Sequence, residues 1–147
     1  MKAKSGFTLV EILIVVVILG ILAAIVIPQF TDASTEAKEA RLASDLQMMR
    51  SQIELYKIQH TDALPDTNSY AEFVTAMTVV DSDGRGPYMQ KIPSNPFAPA
   101  AVADTVTFAA TADGDNSAGW NLDPTTERFQ AHDSGTCPDG STKHSDL

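Results

Sequence analysis

Apolar and polar positions divide this chain sharply. From Phe7 to Phe30 nearly every side chain is apolar, Glu11 is the one ionisable residue, and Ile12 to Ile27 carries no charge at all. As a helix that stretch would be about 36 Å long, enough to cross a hydrocarbon core of about 30 Å. After Phe30 the pattern becomes one-sided. Leu42, Leu46, Met49, Ile53 and Tyr56 recur at spacings of four, three, four and three, which places them on one helical face. The two patterns together predict one helix from about Phe7 to about His60. Its first half suits lipid or other subunits, and its second half suits a small domain packed on one side.

Leu64-Pro65 ends this helical region. A second helix is predicted from Tyr70 to about Val80, with Ser69 and Glu72 spaced as a capping box and Tyr70, Phe73 and Met77 on one face. Asp81 to Pro87 reads as a turn, because Gly84 comes too early for an EF-hand calcium loop. Pro87, Pro93 and Pro96 stiffen the next segment without regular structure, with Tyr88 and Phe97 as its anchors. Val102–Ala110, Gly119–Asp123 and Glu127–Ala131 read as strands, the last two joined by a turn over Asp123 to Thr126. The expected class is α+β: a long N-terminal helix on a small head containing a short helix and a small antiparallel sheet. The expected segments are 1–6, 7–30, 31–62, 63–131 and a polar, frayed tail over 132–147.

Charge narrows the function. The chain of 147 residues carries 19 acidic and 10 basic residues, a net charge of −9. Two of the basic residues, Lys2 and Lys4, stand at the very start, and the body holds no basic cluster for a phosphate backbone, so nucleic-acid binding is not expected. A single cysteine, Cys137, cannot form an intramolecular disulfide and reads as a surface thiol, with an intermolecular bridge as the alternative. His60, His132 and His144 are scattered without ligand spacing, and His60 extends the packed stripe. No glycine-rich phosphate loop or serine-nucleophile motif is present, so no catalysis is expected.

The lysines before the apolar run predict a cytoplasmic N-terminus with the rest outside. A secretory signal peptide would have a shorter apolar core of about 7–15 residues and a small-residue cleavage site. A plain anchor explains the length but not the acid, since a charge inside a membrane span costs at least about 2.5 kcal/mol and usually marks function. Pairing with a cation on a neighbouring chain would relieve Glu11 and set the axial register between subunits. Gly20 and Pro28 bracket a part of the helix suited to bending or local melting.

Gly6-Phe7-Thr8-Leu9-Val10-Glu11, followed by this run, resembles the processing site of type IV pilins and the pseudopilins of type II secretion. The resemblance implies cleavage between Gly6 and Phe7 by a prepilin peptidase, N-methylation of Phe7, and pairing of Glu11 with the new amine of a neighbouring subunit. It implies a single-pass protein of the bacterial inner membrane, with its head in the periplasm. It further implies self-assembly into a helical filament, in the periplasm or at the cell surface, on an inner-membrane assembly platform. Gly86 to Phe97 is similar to a loop of the major, G-type pseudopilin, and no disulfide closes a C-terminal loop. Both favour the pseudopilus over an adhesion or motility pilus. A rival of another class is a membrane-tethered periplasmic binding module, which would need neither cleavage nor Glu11.

No cofactor is required on this reading. Major pseudopilins bind calcium in a loop near the C-terminus, and Asp113-Gly114-Asp115-Asn116-Ser117 occupies a comparable place. The resemblance therefore makes Asp113 and Asp115 the first calcium candidates, although a Gly/Asp/Asn turn needs no metal.

Overall fold

The computed structural model describes residues 6–137 and 140–147. The leader lysines, Lys2 and Lys4, lie outside the described residues. Helix α1 runs Leu9–Gln59, α2 runs Tyr70–Thr78, and the strands are β1 (Val106–Thr107), β2 (Trp120–Leu122) and β3 (Phe129–Ala131). The chain divides into two compact units between Ala37 and Lys38.

In the first unit the apolar side chains of α1 stand exposed from Leu9 to Phe30. None of its membrane-length apolar window is buried. A helix apolar all round needs lipid or other helices, because nothing within its own unit covers it. Gly20 and Pro28 both sit inside α1, which stays helical across them.

In the second unit the predicted stripe is the core. Leu42, Leu46, Met49 and Ile53 are buried, with Tyr56 partly buried against the same cluster. Phe73 and Met77 of α2 are fully buried against them, as their common face requires. The Ser69 hydroxyl caps α2 by accepting from Glu72 N–H at 3.2 Å, and it donates to Glu72 Oε2 at 2.8 Å. The helix ends at Val79, whose backbone is extended.

The Asp81 turn forms as its residues predict: Asp81 Oδ1 accepts from the amides of Asp83 and Arg85. The proline-rich segment is tied inward by the amides of Tyr88 and Met89, which both donate to the Met77 carbonyl. Trp120 Nε1 donates to the Pro93 carbonyl at 2.8 Å, which satisfies the indole at the centre of the head.

The sheet has the order β1-β2-β3 and is mixed, which corrects the antiparallel expectation. β2 and β3 are antiparallel around the Asp123 turn, but β1 and β2 run parallel, with Val106 opposite Trp120. The residues from Phe108 to Gly119 form a crossover about a dozen long, the length a parallel connection needs. The segment expected to be strand from Val102 is instead a turn up to Thr105, whose amide and hydroxyl both bond the Val102 carbonyl.

The C-terminal segment is also corrected, because its described residues, 132–137 and 140–147, are held on the head rather than frayed. His132, Asp133, His144 and Ser145 are buried. Thr136 pairs with Lys143, and His144–Asp146 makes a 3-10 turn. Gln130 Nε2 donates to the Ser145 carbonyl, and Arg50 Nη1 donates to the main-chain oxygen of Leu147 at 2.9 Å. A polar composition implies fraying only when its polar groups find no internal partners.

Candidate processing and assembly site

Gly6, Phe7 and Thr8 precede the first helical residue and are exposed. The Gly6–Phe7 bond therefore lies in non-helical backbone. A β carbon at Gly6 would meet nothing within 4 Å, so its role is not set by packing inside this chain.

Glu11 is engaged where it stands. Its Oε2 accepts from Thr8 N–H at 2.8 Å and from the Thr8 hydroxyl at 2.7 Å, while Glu11 N–H donates to Thr8 Oγ1 at 3.2 Å. Thr8 is thus the N-cap of α1 and Glu11 its third residue, a full capping box. The carboxylate also sits at the positive end of the helix dipole. Thr8, to which the motif assigns no role, caps the helix. Its signal was the spacing Thr-x-x-Glu, the same pattern that marked Ser69 and Glu72.

The structure does not bring the calcium candidates together as a metal centre. Asp113 Oδ1 accepts from the Thr111 hydroxyl at 3.3 Å, at an exposed place. Asp115 Oδ1 accepts from Ser117 N–H at 2.8 Å and lies 3.0 Å from His132 Nε2. The Ser117 hydroxyl and amide, and then His132, hold the Asp115 carboxyl below the usual carboxylate range. Asp133, next along, is buried and accepts from His144 Nδ1, Asn95 Nδ2 and Gly135 N–H. Among the described residues no group of three or more His, Cys, Asp or Glu side chains is arranged to hold a metal ion. Calcium requires six to eight converging oxygens, and Asp113 and Asp115 each spend one carboxylate oxygen on a protein donor instead. The residues do not fit the ion.

His60 has the packing role its position suggested. It stacks on Tyr56 with ring centroids 3.9 Å apart, and its Nε2 lies 3.1 Å from Asp81 Oδ2.

An exposed membrane-length helix, an N-terminal cap built on Thr8 and Glu11 and a small α+β head together define a pilin-like protein. Residues 1–27 match the prokaryotic N-terminal methylation motif. The chain is 33% identical over 100 residues to the type II secretion system core protein G of Pseudomonas aeruginosa, covering 65% of this chain and 70% of that protein. It is 31% identical to the core protein G of Vibrio cholerae, covering 66% of this chain and 68% of that one. A fimbrial protein of Pseudomonas aeruginosa is 36% identical over 89 residues, with 58% of each chain covered. No solved structure matches the chain. The chain belongs to the type II secretion system core protein G family.

Proposed function

We propose that the chain is the structural subunit of a pseudopilus, the filament of a type II protein secretion system, and not an enzyme. The observation that carries this reading is α1 itself: an apolar helix long enough to cross a membrane, begun by Thr8 and Glu11, beside the methylation motif. The precursor waits in the inner membrane with its head in the periplasm. Prepilin peptidase cuts between Gly6 and Phe7 and methylates Phe7. The helix then leaves lipid for a bundle of like helices on the assembly platform, where packing contacts replace lipid contacts. In that bundle Glu11 meets the amine of Phe7 on a neighbouring subunit, and the pair sets the axial offset. The helix between Gly20 and Pro28 can lose hydrogen bonds there at small cost, since Pro28 supplies no amide. The fimbrial relative favours a pilus subunit as the second reading.

The intact mass of protein taken from membranes that carry an active peptidase tests the pathway. A mass lacking Met1 to Gly6 and bearing one added methyl group supports it. A full-length mass, with the peptidase active on another substrate, refutes it and leaves a tethered module. Glu11→Leu then separates the two roles: a filament subunit stops assembling, whereas a tethered module keeps working.

A further inference from the structure

The family resemblance puts calcium at the Asp113–Ser117 loop, yet the loop is already closed by protein groups. Gly114 and Asn116 turn it with positive φ values of 66° and 62°. Asn116 then bonds Ser134 twice: its Nδ2 donates to the Ser134 hydroxyl at 2.9 Å, and its Oδ1 accepts from Ser134 N–H at 3.1 Å. Gly114 packs so closely that a β carbon there would lie 3.1 Å from the Asp133 carbonyl oxygen.

The side chain of His132 is almost wholly buried, at 4% exposed, and reaches Asp115 with Nε2. A carboxylate only accepts hydrogen bonds, so Nε2 carries the hydrogen. His132 Nδ1 is then left buried without a partner. His144 behaves alike: Nδ1 donates to Asp133, and Nε2 is buried without a partner. Each ring thus bears the desolvation cost of one nitrogen while its other nitrogen serves a carboxylate. A divalent cation would have to displace three N–H donors from Asp133, and to share Asp115 with His132 and the Ser117 amide on Oδ1.

We propose that this chain closes the Asp113–Ser117 loop with its own side chains, His132 to Asp115 and Asn116 to Ser134, where the resemblance would put a cation. On this proposal that loop is held in place without calcium. This goes beyond the filament reading and stands whether or not the chain assembles.

Thermal unfolding of the full chain in detergent, followed through the buried Trp120, tests it in calcium chloride and in EGTA. The two midpoints are expected to agree within about 2 °C. A midpoint about 5 °C or more lower in EGTA overturns the proposal. Asp115→Asn adds a second reading, because it keeps an oxygen for His132 while reducing the charge available to a cation. Its shift is expected to be the same in both solutions, and a shift seen only with calcium overturns the proposal. His132→Ala is expected to lower the midpoint in both, and an unchanged midpoint overturns the assigned role of His132.

Discussion

Glu11 and Thr8 hold each other at the start of α1, with the Glu11 carboxylate taking both the amide and the hydroxyl hydrogen of Thr8, at 2.8 and 2.7 Å. The acid that the filament reading assigns to a neighbour's amine already has partners in its own chain. These bonds lessen the cost of keeping a carboxylate in an apolar segment. On the filament reading a neighbour's amine would add to these partners, since a carboxylate has about four acceptor sites and both Thr8 bonds fall on Oε2.

This separates two jobs that Glu11→Leu would confound. Glu11→Gln keeps an acceptor for Thr8, and so keeps the cap, but removes the charge. Cleavage at Gly6–Phe7 should proceed while the equilibrium constant for adding a subunit falls at least about tenfold, the equivalent of about 1.4 kcal/mol, and filament yield falls with it. Sedimentation of sheared filaments provides the measurement. Normal yield from Glu11→Gln would show that the cap, not the charge, is what assembly uses.

Arg50 joins parts of the head that are distant in sequence. Its Nε and Nη2 donate to the Phe129 carbonyl at 3.0 and 2.8 Å, and its Nη1 to the Leu147 oxygen. Arg50→Met keeps the aliphatic stem but leaves the Phe129 carbonyl without this donor. The expected loss is about 1–3 kcal/mol, read as a lower urea midpoint at unchanged slope. A midpoint within error of the parent would show that water replaces the guanidinium at no cost.

Gly119 allows β2 to pass against the Ala103 carbonyl. A β carbon there would overlap that oxygen and reach the Ala103 Cα at 3.2 Å, and both neighbours are backbone. Gly119→Ala should cost at least the ~1–3 kcal/mol typical of overpacking. It should also shift the buried Trp120 emission toward that of exposed indole. An unaltered spectrum and midpoint would contradict the close approach.

Acid should weaken the head through its turns. The Arg85 amide, and to a lesser degree His60, hold the Asp81 carboxyl below its ordinary range. The Thr126 hydroxyl and Thr125 amide do the same for Asp123. Because both folded values lie below the unfolded ones, the contribution is complete above about pH 4 and is lost as pH falls through the lowered values. Urea midpoints across that range should fall for the parent and fall less steeply for Asp123→Asn. Parallel curves would remove Asp123 from the account.

Periodicity alone carried much of the fold. The apolar run and the Leu42–Ile53 stripe require nothing beyond helical spacing, and Ser69, Asp81 and Asp123 mark local caps and turns whose closing backbone amides lie within four residues. Gly6, Phe7 and Glu11 stand in a short contiguous motif, which needs no fold to be seen, and residues 1–27 match the prokaryotic N-terminal methylation motif. Thr8 was legible too, in a spacing already used elsewhere in the chain. What the tertiary structure decided was every pairing across long sequence distance. The parallel direction of β1 on β2 depends on how the crossover returns, and no residue pattern states that. The C-terminal segment looked like a solvated tail because its side chains are polar. Its described residues are held because Asn95, Arg50 and Gln130 reach Asp133, Leu147 and Ser145, which lie 38, 97 and 15 positions away. Hydrophobic period reports which face is buried, but a buried polar group is stable only beside a partner, and that partner's place is set by the folded chain.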